Sequence, residues 1–171
     1  MNPSRVIQVI GTSALAAGAI GASIALGAGS PAKITPAGVG AVKLGDSYKS
    51  LHSRGLVGKI GPGCELGGPN TRSAALKVAK GTVNFTLKSP RKVTDITVRG
   101  GAKARGVGVG ATIPQIKAKF PKAKVDHSTD HTFELTLVRI PKSGGGKLMF
   151  GVSTKTHKTT LIGVPAIAFC E

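Results

Sequence analysis

The chain has 171 residues, with 24 lysines and arginines against 7 acidic residues, a net charge of +17, one tyrosine and no tryptophan. That length holds one domain or two small fused halves. So few aromatic side chains disfavour a specific nucleic-acid binder, because single-strand binders interleave exposed rings with their basic grooves. So few carboxylates, at no signature spacing, weigh against general acid–base chemistry.

Residues 1–32 read as an export signal. Arg5 is their only charged side chain, residues 6–26 form an apolar run of small side chains, and Ser30-Pro31-Ala32 is a small-x-small triplet. This is the order of n-region, h-region and cleavage site. Cleavage is expected after Ala32, with Ala25-Leu26-Gly27 as the second choice. The competing reading is an uncleaved membrane anchor, since the run is long enough to span a bilayer. Its glycine and alanine content makes it only weakly hydrophobic, which favours cleavage. No cysteine lies near its end to carry a lipid. Loss of this segment leaves a mature domain, residues 33–171, with 23 basic and 7 acidic side chains and a charge of +16. The expected location is the cell surface or the extracellular medium, with no transmembrane segment after cleavage.

Cys64 and Cys170 both fall in the exported part. An even count in an oxidising compartment reads as a disulfide, and neither residue sits in a motif that would activate a thiol. Closing a loop of about 100 residues would stabilise the fold by on the order of 4–5 kcal/mol on the chain-entropy account.

The exported part repeats itself. Val42, Leu44, Gly45, Ser47 and Leu51 align with Val107, Val109, Gly110, Thr112 and Ile116 at an offset of 65. Gly81 and Phe85 align with Gly146 and Phe150 at the same offset. Lys92, Thr94, Ile96 and Val98 align with Lys158, Thr160, Ile162 and Val164 at an offset of 66. Three matches in one order define two units, about 38–102 and 103–169. Each opens on a glycine turn and a hydroxyl residue that can cap a short helix: Ser47 before residues 48–53, and Thr112 before 113–120. Thr112-x-x-Gln115 fits a capping box, and Pro114 is tolerated in a first turn. Gly55 and Pro121 stop the two helices.

Alternation then replaces the helical pattern. Val83, Phe85 and Leu87 oppose Thr82, Asn84 and Thr86. Ile96 and Val98 oppose Thr97, and Phe133, Leu135 and Leu137 oppose Glu134 and Thr136. Leu148, Phe150 and Val152 oppose Lys147. A period of two with one apolar face predicts antiparallel strands half-buried on a core. They are expected at 74–79, 82–88, 93–99, 132–140, 147–153 and 159–164, with hairpin loops at 88–91 and 142–146. The expected fold is α+β: two tandem helix-then-strands repeats forming one curved antiparallel sheet, with short helices on its apolar face.

The Leu44-Gly45-Asp46-Ser47 and Val109-Gly110-Ala111-Thr112 starts, each opening a helix before a strand meander, resemble the repeat of the beta-lactamase-inhibitor-protein-like fold. The SmpA/OmlA-type outer-membrane assembly lipoproteins share that unit. The resemblance spans most of residues 38–169 and implies a protein-binding scaffold that docks through the exposed sheet face. It does not extend to beta-lactamase inhibition, because an aromatic-rich binding face is missing.

Three local patterns invite chemistry. Asp126-His127-Ser-Thr-Asp130-His131 would pair two imidazoles on a helix as metal ligands, but Ser128-Thr129-Asp130 is turn-like and reads as a solvated loop. Gly106-x-Gly108-x-Gly110 lacks the strand and third glycine of a dinucleotide fingerprint and reads as the opening turn of the second repeat. Lys117, Lys119, Lys122 and Lys124 crowd around Phe120-Pro121 and are candidate polyanion contacts. His52 and His157 have no sequence partners. No catalytic set, cofactor motif or metal site emerges. The sequence thus favours an exported non-enzymatic binding domain whose partner is an extracellular protein. Electrostatic adhesion to anionic envelope polymers is the alternative, and an envelope hydrolase the third reading.

Overall fold

The computed structural model describes residues 30–63, 71–141 and 147–169. Thirteen strands and three short helices are described: β1 (Ala32–Thr35), β2 (Gly38–Val39), β3 (Val42–Lys43), α1 (Tyr48–Ser53), β4 (Gly61–Pro62), β5 (Arg72–Ala75), β6 (Lys80–Phe85), β7 (Val93–Gly100), β8 (Ala102–Ala104), β9 (Val107–Gly108), α2 (Ile113–Lys119), β10 (Lys124–Asp126), α3 (Asp130–Phe133), β11 (Leu135–Ile140), β12 (Leu148–Ser153) and β13 (Thr159–Val164). The chain is α+β and mostly strand.

Both expected helices form where their caps place them. Ser47 Oγ accepts from Ser50 N–H at 3.3 Å, and Gln115 Oε1 accepts from Thr112 N–H at 2.9 Å. These bonds satisfy donors that a helix start otherwise leaves bare. Leu51 and Ile116, both fully buried, are the anchors of α1 and α2. A third helix, α3, stands where a strand was expected to begin at residue 132. It ends at Glu134, whose left-handed backbone (φ 52) turns the chain into β11.

The strands form two sheets. The larger has the order β10-β11-β12-β13-β7-β6-β5-β4 and is antiparallel throughout. Two runs of consecutive strands meet where β13 pairs with β7, in the register Ile162 to Val98, Gly163 to Thr97 and Val164 to Ile96. The smaller sheet, order β3-β2-β1-β8-β9, was not expected. In it β1 runs parallel to β8, Ala32 opposite Ala102 and Lys33 opposite Lys103. Its strands have two to four residues each, too short for alternation to show in sequence.

The main core lies between the sheets and under the helices. Ile34, Val39 and Ala104 of the small sheet join Leu51, Ile116, Val83, Phe85, Ile96, Val138, Phe150 and Ile162 in one cluster. The large sheet also buries apolar side chains on its other face. Leu137, Met149 and Leu161 form a second cluster there with Ile167, flanked by Leu135 and Phe169. Residues 165–169 fold back over β12 and β13: a β-carbon on Gly163 would collide with the backbone of Ala166 and Ile167. Glycine at 163 is what lets the two backbones approach.

This second cluster corrects the assignment of faces in β11. Thr136, Val138 and Ile140 share the opposite parity from Leu135 and Leu137, and Val138 and Ile140 are the residues that belong to the main core. Asn84, Thr97 and Thr136, expected to face solvent, are buried at 4, 5 and 7% exposure. Phe133, expected inside, is exposed and stacks on Phe169 with ring centroids 4.2 Å apart.

Candidate functional site

The lysines singled out in the sequence sit at one corner of the molecule. Lys117 and Lys119 occupy the last turn of α2, where a cation suits the carbonyl end of a helix. Lys122 lies in the following turn and Lys124 begins β10. All four are exposed, and among the described residues none forms an ion pair with an acidic side chain.

Beside this corner the structure opens a cavity of about 670 Å³. Its walls are residues 33–36 from β1 and the turn after it, Ala104 and Arg105 at the end of β8, the 120–123 turn, Ile140 and Pro141 at the end of β11, and Leu148 at the start of β12. Ile34, Phe120, Ile140 and Leu148 make its apolar surface, whereas Lys33, Arg105 and Lys122 bring positive charge; no carboxylate lines it among the described residues. The Arg105 guanidinium lies 5.2 Å from the centroid of the Phe120 ring, a cation–π distance. Its Nη1 also donates to Lys119 O at 3.5 Å. Phe120 is held in turn against Phe150, 5.8 Å between centroids. Of the four flagged lysines, Lys122 alone lines the cavity. Lys33, Arg105, Ile140 and Leu148 carry no sequence signal for it, because five separate chain segments assemble the site.

The described carboxylates are engaged elsewhere. Asp46 Oδ2 accepts from Lys43 N–H at 2.8 Å and braces the turn after β3. Asp95 accepts from Asn84 Nδ2 at 2.7 Å and from Thr94 Oγ1 at 3.0 Å. Burial pushes its carboxyl above the ordinary range, and those two hydrogen bonds only partly offset the shift. Asp126 accepts from Ser128 N–H at 2.9 Å and from Arg139 Nε at 2.7 Å. Chiefly through the bonds from Ser128, and then Arg139, its pKa is lowered to about 2. Asp130 pairs with His127 Nδ1 at 2.8 Å and accepts from Thr136 Oγ1 at 2.8 Å, and the contact with His127 leads in holding its pKa down. Glu134 pairs with Lys155 at 2.7 Å.

The 126–131 segment therefore runs from the end of β10 through a braced turn at 127–129 into the first residues of α3. Among the described residues no group of three His, Cys, Asp or Glu side chains converges as a metal site. His52 packs on Tyr48, centroids 5.3 Å apart. The Gly106–Gly110 stretch forms the β8–β9 turn and the approach to α2. Cys64, Cys170 and the 142–146 loop lie outside the described residues. Among the described residues no helix is long and apolar enough to cross a membrane.

No protein-family model matches the chain, and the searches of curated proteins and of solved structures likewise returned no match.

Proposed function

We propose that this chain is exported and acts as a non-enzymatic binding scaffold for an extracytoplasmic protein, at the cell surface or outside the cell. The observation that carries this reading is how the charged groups are used. Asp46, Asp95, Asp126, Asp130 and Glu134 each hold a turn, a strand pair or an ion pair of the fold itself. Acid–base catalysis most often uses an imidazole or a carboxylate beside the reacting atoms, and among the described residues the cavity lining has neither.

The scaffold reading includes a duplicated unit. The offsets of 65 and 66 relate α1 to α2, the β2–β3 hairpin to β8–β9, and β7 to β13. Across the β7–β13 junction Ile96 opposes Val164, the counterpart of Val98, and Val98 opposes Ile162, the counterpart of Ile96, about the Thr97–Gly163 pair. Such a pattern supports two copies, about 38–102 and 103–169, joined edge to edge. It is also what the beta-lactamase-inhibitor-protein-like resemblance implies.

Adhesion to anionic envelope polymers is the second reading, favoured by the exposed Lys117, Lys119, Lys122 and Lys124, which among the described residues form no ion pair. Ionic strength separates the two. Polyanion binding releases counterions and collapses as salt rises, whereas a packed protein interface largely persists. Capture from native envelope extract at low and at raised salt is the test. One stoichiometric protein retained at raised salt is the expected result; material lost on raising salt assigns adhesion instead.

A further inference from the structure

We propose that the cavity beside α2 binds a phosphate-headed, single-chain amphiphile. This goes beyond the scaffold reading and does not depend on it. Arg105 has a left-handed backbone, at φ 48. Sixty-five residues earlier, at the corresponding turn of the β2–β3 hairpin, stands Gly40 at φ 55. Glycine adopts this conformation freely, whereas a β-carbon there crowds a carbonyl oxygen. The turn itself has no need of an arginine, so the side chain must account for it.

That side chain, though exposed, makes two contacts at the cavity wall. Phe120 and the Lys119 carbonyl hold the guanidinium at the cavity wall. A guanidinium has five N–H donors, and among the described residues no carboxylate meets this one. Lys33 and Lys122 stand around the same opening. Three cations gathered without an acid create a field that an anion relieves. A phosphate monoester can carry two charges and take a bidentate contact from arginine together with a lysine contact.

The apolar wall sets the rest of the ligand. A wall polymer or free phosphate would meet the three cations but leave Ile34, Phe120, Ile140 and Leu148 uncovered. An uncharged chain would cover those and leave the cations unmatched. The volume, about 670 Å³, falls within the roughly 300–1,000 Å³ of small-ligand sites. A protein partner would need roughly 800 Å² of its own surface, far more than one such cavity offers. A single chain with an anionic head satisfies both halves of the lining.

The test is calorimetric titration of the intact exported protein, at ligand concentrations below micelle formation, with dodecyl phosphate, dodecanoate, dodecyl maltoside and inorganic phosphate. Backbone amide shifts locate the site. Saturable one-to-one binding of dodecyl phosphate is expected, with shifts around Arg105, Lys122 and Ile140. It should be tighter than dodecanoate and about tenfold or more tighter than the maltoside or inorganic phosphate. Arg105→Asn keeps a residue suited to the left-handed turn and should weaken binding about tenfold. Lys122→Gln should weaken it in the same direction, and Lys49→Gln on α1 should not. The proposal is overturned by no saturable binding, by equal affinity for the maltoside, for dodecanoate or for inorganic phosphate, by shifts that map elsewhere, or by unchanged affinity in both folded variants.

Discussion

Asp95 is drawn into the large sheet by its register partner Asn84, whose amide donates to it at 2.7 Å. Burial nevertheless raises its pKa, so the ionised form is less welcome in the folded state than in the unfolded chain. The sign follows by linkage: the stability tied to this group is complete below about pH 4 and is lost as pH rises through the raised folded-state value. Asp95→Asn can keep both hydrogen bonds, because Asn accepts from Asn84 and its amide can donate to Thr94 Oγ1. The variant is expected to melt at a higher temperature than the parent at pH 7, with the gap closing below about pH 4. Asp126 runs the other way. Its pKa is lowered to about 2, so its contribution is present above about pH 4 and is lost as pH falls toward 2. Asp126→Asn should lower the melting temperature at pH 7 and converge with the parent near pH 2. Thermal unfolding of both variants across that range checks both signs. If Asp95→Asn lowers the melting temperature at pH 7, the buried environment assigned to Asp95 is wrong; if Asp126→Asn raises it, the hydrogen bonds assigned to Asp126 are.

At the scale of elements, the helices were the most legible part of the sequence, because a cap is a local chemical statement. Ser47 and Thr112 stop the preceding chain and donate no apolar surface, while Leu51 and Ile116 supply the burial. Ser47→Ala should cost about 1 kcal/mol in urea unfolding, the usual worth of such a cap. Strands β7, β12 and β13 also lie within a residue of their expected spans. In β11 the pattern misled, since Leu135-Thr-Leu137-Val-Arg-Ile140 is apolar at both parities. Alternation identifies an inner face only when the other face meets water, and here residues 165–169 cover it. Gly163 makes that cover possible. Gly163→Ala should displace the covering segment from β13 and cost about 1–3 kcal/mol, the range for forced overpacking. Faster proteolysis after Phe169's neighbours, together with dye binding to the uncovered Leu137–Met149–Leu161 surface, would show it. Unchanged proteolysis would mean that the segment is not held by this contact.

At the scale of the molecule, the cavity and the small sheet share one dependence that no local pattern announces. Strand β1 lies at the start of the described chain, yet it is the strand that joins the β2–β3 hairpin to the β8–β9 hairpin. Ala32 N–H donates to Gly101 O at 3.1 Å, and the Ala32 side chain packs on the main core. The stretch from Lys33 onward then forms one wall of the cavity. Signal cleavage after Ala32 would delete that hydrogen bond and set a new ammonium group on Lys33, whose register partner is already Lys103. Cleavage at the second-choice site, after Gly27, leaves β1 whole. On the proposal that the chain is exported, we therefore predict a mature N-terminus at Ala28 rather than Lys33, as N-terminal sequencing of secreted material would read directly. A chain beginning at Ala28 should be more stable than one beginning at Lys33 by about 1 kcal/mol, the net worth of one backbone hydrogen bond. Equal stability of the two chains would show that β1 needs no residue before Lys33 to hold the hairpins together, and would return the cleavage point to the triplet at 30–32.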